Sequence, residues 1–123
     1  MNTWSRTDPT IRFILAQHRI HISKAVLYAI GYPTHIQITI TPDGKVLFIK
    51  KCVERVFDRF SVPPHIYTDG ASVFGLQKAA FAEALLKRLE WDKKGVYRVR
   101  GTIVAEDVMA FYFDEAERLD KGR

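Results

Sequence analysis

Residues 18 to 52, HRIHISKAVLYAIGYPTHIQITITPDGKVLFIKKC, change hydrophobic period several times within 35 positions, and this constrains the fold more than any other stretch. From Arg19 to Ser23, Ile20 and Ile22 alternate with Arg19 and His21, the period-two pattern of a strand with one buried face. Ser23 is placed to cap a short apolar helix carrying Ala25, Val26, Leu27, Ala29 and Ile30. Gly31 accepts the left-handed conformation that closes a helix, and Pro33 prevents its resumption. Alternation returns from His35 to Thr41. Pro42, Asp43 and Gly44 then suit a tight turn before a return strand over Val46 to Ile49, whose unbroken apolar run predicts cover on both faces. Strand, helix and hairpin in this order define an α+β chain.

The remainder divides at Ser61-Val62-Pro63-Pro64. Before it, Val53, Val56, Phe57 and Phe60 fall at helical spacing. After it, His65 to Thr68 reads as a short strand running into an Asp69-Gly70 turn. The strongest helix signal spans Leu76 to Trp91, with a Glu83/Lys87 pair and a buried stripe of Leu76, Ala80, Phe81, Ala84, Leu85 and Leu89. Strands are predicted over Val96 to Val104 and Val108 to Phe113, and the charged end is expected to fray or add a short helix. Lys24 to Ile49 and Lys78 to Phe113 thus share one order of elements, as in a diverged tandem duplication, and one chain would then build a pseudo-twofold barrel. Either way, the first half is too small to bury its apolar face alone and should not be a free-standing monomer.

With 123 residues, 47% of them hydrophobic, the chain forms one domain or two very small ones. There is no apolar run long enough for a bilayer and no apolar core of a signal peptide near the start, so the expected location is cytoplasmic. The single cysteine, Cys52, excludes an internal disulfide or a cysteine-rich zinc site. Charge is uneven. Through Phe60, nine Lys or Arg stand against four acids, whereas from Ser61 onward there are ten of each, so the net +5 sits wholly in the first half. Such an excess suits a phosphate-binding surface. His18 and His21 are three apart and would point to opposite faces of a strand, so they do not make a metal pair. No phosphate-cradling glycine loop, nucleophile motif or paired-carboxylate signature is present, and neither enzyme activity nor a cofactor is expected.

Residues 10 to 52 resemble the AbrB/MazE/SpoVT swapped-hairpin DNA-binding domain. The resemblance is carried by Arg19-Ile20-His21-Ile22-Ser23-Lys24, by Ala29-Ile30-Gly31, by Asp43-Gly44-Lys45 and by Arg12, seven residues before Arg19. Ser23 stands where the family usually has proline, and Leu27 and Tyr28 stand where AbrB-type members often carry arginines. The resemblance implies a swapped-hairpin β-barrel domain over residues 1–60, with residues 61–123 as a second strand-helix-hairpin lobe for oligomerisation, sensing or partner binding. It implies a transcriptional regulator that binds double-stranded DNA and, if the two halves are not a duplication, a homodimer, because the family interleaves two copies to bury the apolar face. Arg12, Arg19 and Lys24 are the leading contacts, with His21, Lys50 and Lys51 widening the basic surface. Arg98 and Arg100, on one face of a later strand, form a second candidate anion site that Glu106 and Asp107 would neutralise. The alternative is a non-enzymatic protein-interaction module of antitoxin-like or accessory type, for which adjacent exposed Tyr28 and Tyr32 would suit a protein contact.

Overall fold

Period-two alternation decides most of the backbone. The computed structural model describes residues 8–53, 55, 59–68, 73–77 and 79–119. In chain order it contains β1 (Thr10–Ile14), β2 (Arg19–Ser23), α1 (Lys24–Ala29), β3 (His35–Ile40), β4 (Val46–Lys51), β5 (Arg59–Ser61), β6 (Val73–Gln77), α2 (Ala79–Leu89), β7 (Val96–Ala105), β8 (Val108–Tyr112) and β9 (Glu117–Arg118). Single 3-10 turns cover Leu15–Gln17, Pro64–Tyr67 and Phe113–Glu115. The strands pair in the order β5-β3-β4-β8-β7-β1-β2-β6, with β9 beside β7, and curl into a strand-rich half-barrel of α+β type.

Ile11, Phe13, Ile20, Ile22, Ile36, Leu47, Ile49, Val99 and Phe111 are completely or almost completely buried inside the curl, as strand alternation requires. Burying each such side chain contributes roughly 1.5–3 kcal/mol. The strand β7 joins the two ends of the molecule. Its first half pairs with β1 up to Arg100, and from Gly101 onward it pairs with β8. A Cβ at Gly101 would collide with Met109 and Phe111, so the missing side chain lets the two strands close where the sheet changes partner.

The two halves are interleaved. A strand, a 3-10 turn, a strand, a helix and two strands run from β1 to β4, and the same series runs from β5 to β8. The first strand of each series adds to the third strand of the other: Ile14 stands opposite Val96, and Ser61 opposite His35. One residue further on, Leu15 N–H donates to the Gly95 carbonyl at 3.3 Å and Val62 N–H to the Thr34 carbonyl at 2.8 Å. Both helix ends place a non-glycine residue in the left-handed region, Tyr32 and Glu90, each at φ 54°. The second strands pair with one another, β2 with β6, and so do the fourth, β4 with β8. All four exchanges obey one pseudo-twofold relation. Among the described residues the pairing that would complete the ring, β5 with β6, is not formed.

Several expectations are corrected. The expected boundary at 60/61 lies within β5, and β6, β7 and β8 of the second half pair with β2, β1 and β4 of the first. The helix expected over residues 53–60 ends in strand: Arg59 and Phe60 pair with Gln37 and Ile36, while positions 54 and 56–58 lie outside the described residues. His65 to Thr68 is not a strand, because Pro63 and Pro64 start a 3-10 turn there; the Asp69-Gly70 turn lies outside the described residues. Leu76 belongs to β6, opposite Ile20, so the long helix begins later and ends earlier than its composition suggests. Of its predicted stripe, Leu85 is buried, Leu76 and Leu89 pack against the core and Ala84 is exposed; the side chains of Ala80 and Phe81 lie outside the described residues. Ala82, outside the predicted stripe, is buried beside Leu85. The strand Val46 to Ile49 is fully buried on one face only, through Leu47 and Ile49. Of the charged end, Asp114 and Glu115 lie in the 3-10 turn, Glu117 and Arg118 form β9 against Arg98 and Tyr97, and positions 120–123 lie outside the described residues.

Ser23 does occupy the helix N-cap, but its hydroxyl makes no cap bond. It accepts instead from the Thr10 N–H at 2.9 Å and so ties β1 to β2. The β3–β4 turn is as expected: Asp43 accepts from the Thr41 hydroxyl at 2.6 Å and the Lys45 N–H at 3.0 Å, and Gly44 takes φ 73°.

Candidate nucleic-acid interface

The outward residues of β1, β2, β6 and β7 share one face of the sheet. One rung crosses five strands, with Glu117, Arg98, Arg12, His21 and Gly75 directly opposite one another in β9, β7, β1, β2 and β6. The rungs on either side carry Arg19, opposite Ile14 and Gln77, and Arg100, opposite Thr10. Ile11, Phe13, Ile20 and Ile22 point inward, which obliges Arg12, Arg19 and His21 to point outward.

Like charges placed directly opposite across strands oppose one another, and Arg98 faces Arg12 in this way. Glu117 relieves Arg98 from its other side, at 2.6 Å, and Asp8 holds Arg100 at 3.0 Å. Arg12 and Arg19 have no ion pair among the described residues. Four arginines against two carboxylates leave the face positive by two charges with His21 neutral. Partial burial, then the charges of Arg19 and Arg12, hold the His21 imidazole below its usual 6.5. The His21 ring and the Arg19 guanidinium lie over Gly75, within 3.5 Å and 3.8 Å of where its Cβ would stand. The bare backbone of β6 therefore leaves room for both groups.

The six residues singled out in the sequence separate into three places. Arg12, Arg19 and His21 come together. Lys24, at the start of α1, turns its ammonium to within 5.6 Å of the Tyr28 ring centre. Lys51 lies against Gly31 at the far end of the same helix. Lys50 faces outward on β4, in a rung formed by Arg59, Gln37, Lys50 and Val108. Arg98 and Arg100 do not form a separate anion site but extend the Arg12 face, and their partners are Glu117 and Asp8, not Glu106 and Asp107. Leu27 is fully buried, so α1 presents no basic face there.

Arg59 escapes a reading that treats residues 53–60 as a helix. In the pseudo-twofold relation it is the counterpart of Arg12, and Gln37 is the counterpart of Arg98. The sequence does hold a trace of this, since Arg12-Phe13 recurs as Arg59-Phe60, 47 positions later. Among the described residues no group of three His, Cys, Asp or Glu could hold a metal ion. No helix there is long and apolar enough to cross a membrane. Compared with family models, curated proteins and solved structures, the chain matches none.

Proposed function

We propose that this chain is a non-enzymatic, cytoplasmic regulator that binds duplex DNA, and that its two interleaved repeats are a single-chain form of the swapped-hairpin arrangement of AbrB-like proteins. The observation that carries the reading is the Arg98-Arg12-His21 rung. Arg12 stands directly opposite Arg98, whose carboxylate partner Glu117 lies on its far side, and a phosphate bridging the two arginines would offset the repulsion between them. Arg19 and Arg100 on the adjacent rungs extend the positive surface along the sheet. Both supply forked donors suited to phosphate oxygens or a guanine edge. Because one chain contributes both repeats, the pairing that a homodimer would supply is available within the molecule.

The test is fluorescence anisotropy of a labelled mixed-sequence duplex, at several salt concentrations, against the protein and an Arg12→Ala, Arg19→Ala variant. Binding that weakens steeply with salt, with a shallower slope in the variant, supports the reading, because each lost phosphate contact lowers the number of released counterions. A folded protein that fails to bind at low salt overturns it.

A protein-interaction module is the second reading. It is favoured by one observation: Tyr28 and Tyr32 stack on each other at 4.7 Å where a DNA-facing helix would carry cations, and Tyr32 is 60% exposed.

A further inference from the structure

The end of α1 carries three tyrosines on a single surface. Tyr28 and Tyr32 stack at 4.7 Å with 20° between their planes, and Tyr67, from the 3-10 turn of the other repeat, stands 6.2 Å from Tyr28 and 5.6 Å from Tyr32. Tyr67 is tied down, its hydroxyl donating to the Pro33 carbonyl at 2.6 Å. Burial, with Tyr28 and Tyr32 beside it, pushes its phenol up to about 12, so the ring stays neutral.

Tyr32 is held at φ 54°, a conformation costly for a bulky residue. Its N–H donates to the Leu27 carbonyl at 2.9 Å, closing the helix, and the ring is thereby directed outward. In the second repeat the same helix end is built differently. Glu90 takes the left-handed position, and the aromatic after it, Trp91, turns inward to stack on Tyr97 at 4.2 Å and to meet Phe13 and Phe113. One helix end is sealed by aromatic packing, whereas its pseudo-twofold counterpart leaves a ring face open. Lys24 sits over Tyr28, and Lys51 lies against Gly31, so two cations border the open rings.

We propose that the Tyr28–Tyr32–Tyr67 platform binds an unpaired nucleobase of a single-stranded nucleic acid, with the base stacked on Tyr32 and the neighbouring phosphates near Lys24 and Lys51. A planar ring with an anionic backbone matches an open aromatic face bordered by ammonium groups. A neutral apolar peptide would leave both cations unused. The site goes beyond the duplex-binding reading and does not depend on it, because the platform shares no residue with the Arg12 face.

The experiment is anisotropy of a labelled oligothymidylate against the full chain and three variants. Tyr32→Asn removes the ring but keeps a residue that tolerates the left-handed conformation; Tyr32→Phe keeps the π-face; Arg12→Ala, Arg19→Ala disables the other surface. Thermal melting confirms that each is folded. The expected result is a loss of about tenfold or more in Tyr32→Asn, near-complete retention in Tyr32→Phe and retention in the arginine variant. The proposal is overturned if the folded parent protein does not bind, which would leave the platform to a protein partner, or if Tyr32→Asn binds as well as the parent. Loss confined to the arginine variant also overturns it, by placing the strand on the arginine face. Since duplex binding is scored separately with the same variants, failure of either reading is distinguishable from failure of the other.

Discussion

Arg12 and Arg59 are counterparts in the pseudo-twofold relation: each precedes a phenylalanine packed in or against the core, and each stands opposite the third strand of the other repeat, at Arg98 and Gln37 respectively. Around Arg12 the rung sets two arginines directly side by side, with Glu117 at its end. Around Arg59 the two cations are kept apart, with Gln37 between Arg59 and Lys50.

If duplex DNA spans both repeats, Arg59→Ala weakens binding several-fold and lowers the salt slope by about 1, as Arg12→Ala does. Lys45→Ala, in the exposed β3–β4 turn, changes neither. Salt-dependent titrations of the three variants measure this. An Arg59→Ala protein with parental affinity and slope confines the contact to the Arg12 face.

The His21 imidazole gives a pH signature. Its folded-state pKa lies below 6.5 because of partial burial, Arg19 and Arg12. On acidification the unfolded chain therefore takes up this proton first. The His21 contribution to stability is fully present above pH 6.5 and is lost as pH falls from there through the folded pKa. Arg12→Ala or Arg19→Ala should raise the value toward 6.5, and a bound polyanion should raise it as well. Titration of the imidazole resonance by NMR checks both shifts; a value unmoved by either substitution would refute the coupling.

Gly101→Ala should destabilise the protein by about 1–3 kcal/mol, read as a lower urea midpoint at unchanged slope. The added methyl would overlap Met109 and Phe111, and Phe111 is fully buried with no room to withdraw. Met109 is the more adaptable neighbour, so Gly101→Ala combined with Met109→Ala should cost less than the sum of the two single changes. Simple additivity would show that the two side chains do not meet.

A fragment of residues 1–60 should not fold as a monomer. It would keep β1 to β4 but lose β7 beside β1, β6 beside β2 and β8 beside β4, leaving Ile11, Ile22 and Leu47 without cover. Circular dichroism and sedimentation should find it either unfolded or dimerised by pairing with its own copy. A compact monomer with a sharp unfolding transition would contradict the interleaved architecture.

Local chemistry in the sequence is sufficient for the elements of the first half. Ile20 and Ile22, the Gly31 helix end, Ile36 to Ile40 and the Asp43-Gly44 turn each act through neighbouring residues, and each is found where the pattern places it. The repeated order of elements is legible too, because element type depends on periodicity and turn residues, which act within a few positions. Of the site, alternation places Arg19 and His21 together off the buried face, whereas Arg12 is reached only through its spacing before Arg19 in the AbrB-like resemblance.

What tertiary structure decided was pairing. Nothing local to Arg59 or Phe60 distinguishes a helix from a strand; they are strand because β3 offers Gln37 and Ile36 an open edge. Leu76 has high helix propensity yet lies in β6 because Ile20 stands opposite it. Lys24 and Lys51 belong with the tyrosines, and Arg98 with Arg12, through contacts between residues far apart in the chain. Helix and turn signals arise within a few residues, whereas the partner of a strand edge is fixed only when the whole sheet closes, and that choice decides which charges become neighbours.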